Sequence, residues 1–149
     1  MLKLKKIIKV LIFIIALILI TVLILIFNDK IIYEENTFTN AAVWVDRKTY
    51  IYNSGKVKIV TKSDETKMNG TSYYYISNKV ELNDLKEKIN NLSYTGIYST
   101  GDKTPLSVSD YYAYKNNKKM GLSKNSHKEI IGLADKIIQD IYEKNRKEK

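Results

Sequence analysis

The chain has 149 residues, is 44% hydrophobic and 28% charged, and carries a net charge of +9. It has no cysteine and a single histidine, His127, which excludes a disulfide framework, thiolate metal sites, a catalytic thiol and multi-histidine metal centres. One proline and six glycines exclude collagen-like and Pro/Gly-rich disordered chains, and the length suits one domain with an appendage.

Lys, Ile, Asn and Tyr make up almost half of the chain, the bias of A+T-rich codons, so the lysine excess alone is weak ground for a polyanion partner. The charge is also split. Residues 1–27 hold Lys3, Lys5, Lys6 and Lys9 and no acid; the mixed-charge remainder carries the rest of the excess.

Residues 7–27 form a run in which only Lys9 is charged and only Thr21 is otherwise polar. As a helix this run is about 32 Å long, enough to cross a bilayer core. It is longer than a signal-peptide apolar region, and residues 28–35 offer no small-x-small cleavage site. Residues 1–27 therefore read as a basic head and an uncleaved signal anchor. The lysines ahead of the run put the N-terminus in the cytoplasm and the rest of the chain outside. The partner of residues 7–27 is the lipid bilayer.

Residues 28–42, rich in Glu, Asn and Thr, read as a stalk, and residues 43–149 as an extracytoplasmic domain. Val43–Val45 and Thr49–Tyr52 are strand-forming; Asn53-Ser54-Gly55 is turn chemistry; Lys56–Val60 alternates with period two. Lys62–Thr71 reads as a loop and Ser72–Ile76 as a third strand. Asn78, with Glu81 three residues on, caps a helix whose apolar stripe is Leu82, Leu85, Ile89 and Leu92. Tyr94–Ser99 is a strand candidate and residues 100–105 a loop. Ser107–Lys115 and Lys119–Leu122 flank an Asn116-Asn117 turn. Ser126 and Glu129 form a second capping box. Ile130, Ile131, Leu133, Ala134, Ile137, Ile138, Ile141 and Tyr142 then make one wide apolar helix face that must cover a sheet, and Lys144–Lys149 is a fraying tail. The order βββ-α-βββ-α predicts an α+β fold: a small antiparallel sheet, helices on one face, after a transmembrane helix.

The run Thr49-Tyr-Ile-Tyr-Asn-Ser-Gly-Lys-Val57, then Ile76-Ser before Leu82-x-x-Leu85, followed by the Ser109–Tyr114 hairpin and a closing helix, resembles small exported or membrane-anchored domains of low-G+C Gram-positive bacteria. The resemblance spans residues 43–142 and implies no activity and no catalytic residue.

The residues carry little catalytic chemistry. His127 follows Ser126 at a helix start, where Asp110 or Asp102 would have to orient it; a surface histidine beside a cap is the plainer reading. Asp46, Asp102 and Asp110 lack the apolar context that raises a carboxyl pKa. No glycine loop cradles phosphate and no oxygen-ligand run suits calcium. No cofactor and no metal are expected. The tyrosines are the strongest signal. On strands, neighbours face opposite sides, so if Tyr73 and Tyr75 enter the core Tyr74 is exposed, and Tyr111 opposes Tyr112 and Tyr114. Tyr74, Tyr111, Lys118 and Lys119 are the candidate partner-binding surface, suited to a peptide, glycan or anionic wall polymer.

These readings make the chain a non-enzymatic binding or interaction module at the cell surface, its partner an envelope polymer or a membrane protein. The exported domain is expected to be monomeric and to bind no nucleic acid. An immunity protein against a toxin or bacteriocin, and a cell-wall-acting enzyme, are the alternatives.

Overall fold

A computed structural model describes residues 2–27, 29–93, 102–104 and 106–147. The chain is α+β: an apolar N-terminal helix, an antiparallel sheet and two further helices. Helix α1, Leu2–Phe27, contains one window, Ile7–Ile24, of mean hydropathy 3.3 with none of its surface buried in the protein. That length and composition fit a membrane-crossing segment or a signal sequence. Thr21, the sole polar residue past Lys9, satisfies its hydroxyl inside the helix by donating to the Leu17 carbonyl at 2.8 Å.

Strands β1 (Ile31–Asn40), β2 (Trp44–Tyr52), β3 (Lys56–Ser63) and β4 (Gly70–Tyr75) precede α2 (Lys79–Asn90); β5 (Asp102–Thr104), β6 (Ser107–Lys115) and β7 (Lys118–Leu122) precede α3 (Lys128–Lys147). The sheet order is β4-β3-β2-β1-β6-β5, with β5 and β7 paired to successive stretches of the same edge of β6, residues 107–109 and 111–115.

The segment expected as a stalk is thus the middle of the sheet. β1 pairs with β2 through residues 31–40 and with β6 through residues 33–39. Its polarity masked it, because Glu34 and Glu35 alternate across a strand flanked on both sides and each needs partners there. The expected polar loop shrinks to residues 64–69, since β3 runs on to Ser63 and β4 begins at Gly70. The expected strand at residues 94–99 lies outside the described residues. The expected fraying tail is helical as far as Lys147.

Two turns set the register. Gly55 has φ +91, the left-handed region that disfavours side chains, and a Cβ there would stand 3.1 Å from Leu82 Cδ2, so glycine is required twice over. Asn116 and Asn117 have φ of 52 and 62, the two-residue hairpin geometry that asparagine tolerates.

Given these turns, one row of side chains crosses the sheet as Tyr74, Val57, Ile51, Tyr33, Ala113 and Met120, and the next as Ser72, Ile59, Thr49, Glu35, Tyr111 and Leu122. Helices α2 and α3 cover this face with Leu82, Leu85, Ile89, Ile130, Ile131, Ala134, Ile137 and Ile141, all buried. Asn78 caps α2 by accepting from the Val80 amide at 3.1 Å. Neither expected capping-box glutamate is spent on its own cap. Glu81 pairs with Lys136 of α3 at 2.7 Å, and Glu129 pairs with Lys88 of α2, so both clasp the two helices together.

Candidate functional site

Among the described residues no helix covers the opposite face of the sheet. Its rows run Tyr73, Lys58, Tyr50, Glu34, Tyr112, and, nearer the start of β1, Tyr75, Lys56, Tyr52, with Tyr114 and Lys119 across β6 and β7. Beyond them lie Lys48 and Lys62, opposite Asn36 and Asp46. Six tyrosines and five lysines therefore share one open face, because period-two alternation sends every second residue of β2, β3, β4 and β6 outward. Tyr73 and Tyr75 are 58% and 73% exposed.

Glu34, only 6% exposed, is the centre of this face. Tyr114 donates its hydroxyl to Glu34 Oε2, Lys119 Nζ reaches the same oxygen at 2.9 Å, and Asn36 Nδ2 donates to Oε1 at 2.9 Å. Burial alone would raise the Glu34 carboxyl. The three donors and the Lys119 charge outweigh burial and hold it below the usual carboxylate range. The same pair works in reverse on Tyr114, whose phenol burial and the Glu34 carboxylate push far above its ordinary value. Lys119 also sits 3.8 Å over the Tyr112 ring, and Lys56 sits 4.1 Å over Tyr52. The rings are thus held in place by charges, with a carboxylate locked ionised at their centre. Such a face can stack planar or sugar-like rings and pair with anionic groups.

Of the expected surface residues, the structure puts Lys119 on the open face and Lys118 exposed at the β6–β7 turn. Tyr74 and Tyr111 point the other way: Tyr111 is 6% exposed and Tyr74 packs against the core. The phase is the reverse of the one expected. Ile76 fixes it for β4, because a buried Ile76 shares its side with Tyr74. Ala113 fixes it for β6, because only a small side chain fits where Tyr33 and Met120 flank it under the helices. Tyr50, Tyr52, Tyr73, Tyr75, Tyr112 and Glu34 were missed, although the buried Val57 and Ile59 set their phase.

His127 is not paired as a base: its Nδ1 accepts from the Ser123 amide at 3.0 Å. Asp46 and Asp110 stand on β2 and β6, opposite different residues of β1. Among the described residues no group of three or more His, Cys, Asp or Glu is placed to hold a metal.

Two further polar features lie under the helices. Glu35 and Asp135 are both raised by burial, Glu35 further by Asp135, while a Thr37 hydrogen bond and Arg47 act against the rise at Glu35. The Tyr33 hydroxyl, fully buried and also raised by burial and then by these carboxylates, has no hydrogen-bond partner among the described residues. A cavity of about 310 Å³ opens where β4 meets α2 and α3, lined by Tyr74, Ile76, Glu81, Ile137, Asp140 and Lys144, and Glu81 Oε2 has no partner among the described residues.

No protein-family model matches the chain, and no curated protein is similar to it.

Proposed function

We propose that the protein is a single-pass, membrane-anchored, non-enzymatic binding module whose ligand is an anionic, sugar-containing polymer of the cell envelope. The observation that carries this reading is the open sheet face, where on β4, β3 and β2 tyrosines two strands apart, hence about 10 Å apart, flank a lysine in two successive rows. Rings at that interval suit successive sugars of an extended chain, and the lysines between them suit its acid groups. The four lysines at the N-terminal end of α1, Lys3, Lys5, Lys6 and Lys9, support an N-terminus in the cytoplasm and a sheet domain outside.

The test is binding by the full chain in lipid nanodiscs, with a polyuronate as the anionic probe and a neutral glucan of the same length as the control. The polyuronate is retained and the glucan is not, and Lys58→Ala with Tyr73→Ala abolishes most of the retention while leaving the circular dichroism unchanged. Equal retention of both polymers, or retention that survives the double substitution, contradicts the reading.

A further inference from the structure

The chain leaves almost no slack between α1 and the sheet. Phe27 ends the helix and Ile31 begins β1. Within that short span Asp29 is already fixed to the β2–β3 turn. Its Oδ1 accepts from the Ser54 amide at 3.1 Å, its Oδ2 accepts from the Ser54 hydroxyl at 2.9 Å, and it pairs with Lys56 at 3.0 Å. The Lys30 carbonyl accepts from the Asn53 amide at 2.8 Å. From Phe27 to Asp29 the chain reaches at most about 7 Å. If α1 crosses the bilayer, the β2–β3 turn lies at its surface.

Antiparallel pairing decides what else lies there. The start of β1 pairs with the end of β2 and the end of β6, and the start of β3 pairs with the end of β4. The strands and turns of that end carry Lys30, Lys56, Lys115, Lys118 and Lys119 against two carboxylates, Asp29 and Glu34, each already held by a lysine, while α2, whose Leu82 lies against the β2–β3 turn, adds Lys79, Lys86 and Lys88 against Glu81, Asp84 and Glu87, so the excess there stays positive. The other end is balanced, with Arg47, Lys48, Lys62 and Lys67 against Asp46, Asp64, Glu65 and Asp110. Tyr52 and Tyr75 stand on the basic end, and tyrosine with lysine is the pairing that headgroup regions favour, an amphipathic ring beside a long cationic chain.

We infer that this end of the domain is seated on the anionic phospholipid headgroups of the bilayer that α1 enters, so that the sheet stands on the membrane with Trp44 at its far tip. The inference rests on the anchoring role of α1. It takes up the last row of the open face and leaves Tyr50, Tyr73, Tyr112 and Lys58 above the headgroups. Lysines at a surface gain from anionic lipid and lose that gain within a Debye length, about 10 Å at ordinary ionic strength. Tether length puts the rim within that range.

Trp44 is the sole tryptophan and reports the far end, since β1 rises about 30 Å along its length. The full chain is reconstituted in vesicles of equimolar phosphatidylcholine and phosphatidylglycerol carrying lipids spin-labelled at the headgroup or in the acyl chain. Three proteins are compared: the wild type; Trp44→Phe with Tyr75→Trp; and Trp44→Phe with Leu17→Trp. The expected result is loss of most Tyr75→Trp emission to the headgroup label and little loss at Trp44. The loss at Tyr75→Trp should shrink in phosphatidylcholine alone. Equal quenching at the two ends overturns the proposal, as does near-end quenching that ignores lipid charge. Acyl-chain quenching of Leu17→Trp separates the two ideas. If it is present while the near end stays bright, the anchor stands and the docking fails. If it is absent, the anchor fails and the docking with it.

Discussion

The two faces of the sheet are built from the same strands and end up chemically opposite. One row of the covered face reads Val57, Ile51, Tyr33, Ala113; the row beside it on the open face reads Lys58, Tyr50, Glu34, Tyr112. A one-residue step along each strand exchanges aliphatic for aromatic and cationic side chains. The covered face derives its stability from apolar area removed from water by α2 and α3. The open face is held by point contacts, three donors on Glu34 and lysines over tyrosine rings. Loss of volume should be costly on the first kind of surface, and on the second the costly losses should be those of the groups that satisfy Glu34.

The contrast is easiest to break on the covered side. Ile51→Ala or Ile137→Ala, each at fully buried positions, should cost about 2–5 kcal/mol. Urea melts of the full chain in mild detergent, followed by near-ultraviolet circular dichroism, measure this. A cost under about 0.5 kcal/mol, the range of ordinary surface substitutions, would mean that the helices do not pack as described.

On the open side the largest expected loss is at its single buried charge. Glu34→Ala leaves the Tyr114 hydroxyl and the Lys119 ammonium without their partner and should cost about 1–3 kcal/mol. The same melts should show Tyr114→Phe doing less harm, since Lys119 and Asn36 still hold the carboxylate.

Acid sharpens the comparison, because carboxylates on the two faces respond with opposite sign. Glu35 and Asp135, beneath the helices, have pKa values raised by burial. The folded state binds their protons more readily than the unfolded state does, so stability should rise as pH falls from neutrality toward those raised values. Glu34 is lowered, and its contribution is present above the ordinary carboxylate range and lost as pH falls below it. Melts across pH should show a maximum on the acid side of neutrality, then a decline. Glu35→Gln should flatten the rise and leave the decline. A rise that survives Glu35→Gln unchanged would assign it to other groups.

How far the sequence was legible follows from the same alternation. Most strand and helix identities from Val43 onward were readable because Val57, Ile59, Leu82, Leu85 and Ile137 keep clean periods; β5 was not, because Asp102–Thr104 lies between the breakers Gly101 and Pro105 and was expected as part of a loop over residues 100–105. β1 was not, because a strand flanked on both sides can carry Glu34, Glu35, Asn36 and Thr37 only when Tyr114, Lys119 and Thr37 itself supply hydrogen bonds, and those partners are up to 85 residues away. The tyrosine phase was legible in principle from Ile76 and Ala113, yet a run of three tyrosines has no phase of its own. The capping boxes looked local, and the glutamates of both proved to be ties between α2 and α3.

The central claim is that the open face binds and the covered face holds the fold, and neighbouring tyrosines test it most directly. Tyr73 is exposed on the open side of β4, and Tyr74 packs against the core on the other. Each is changed to alanine in the full chain in nanodiscs, and urea stability and polyuronate retention are measured on the same samples. Tyr73→Ala should lose most retention while its stability moves by less than about 0.5 kcal/mol, and Tyr74→Ala should lose stability by more than about 1 kcal/mol and, while folded, keep retention. The reverse pattern, or the same pattern for both, would contradict the account.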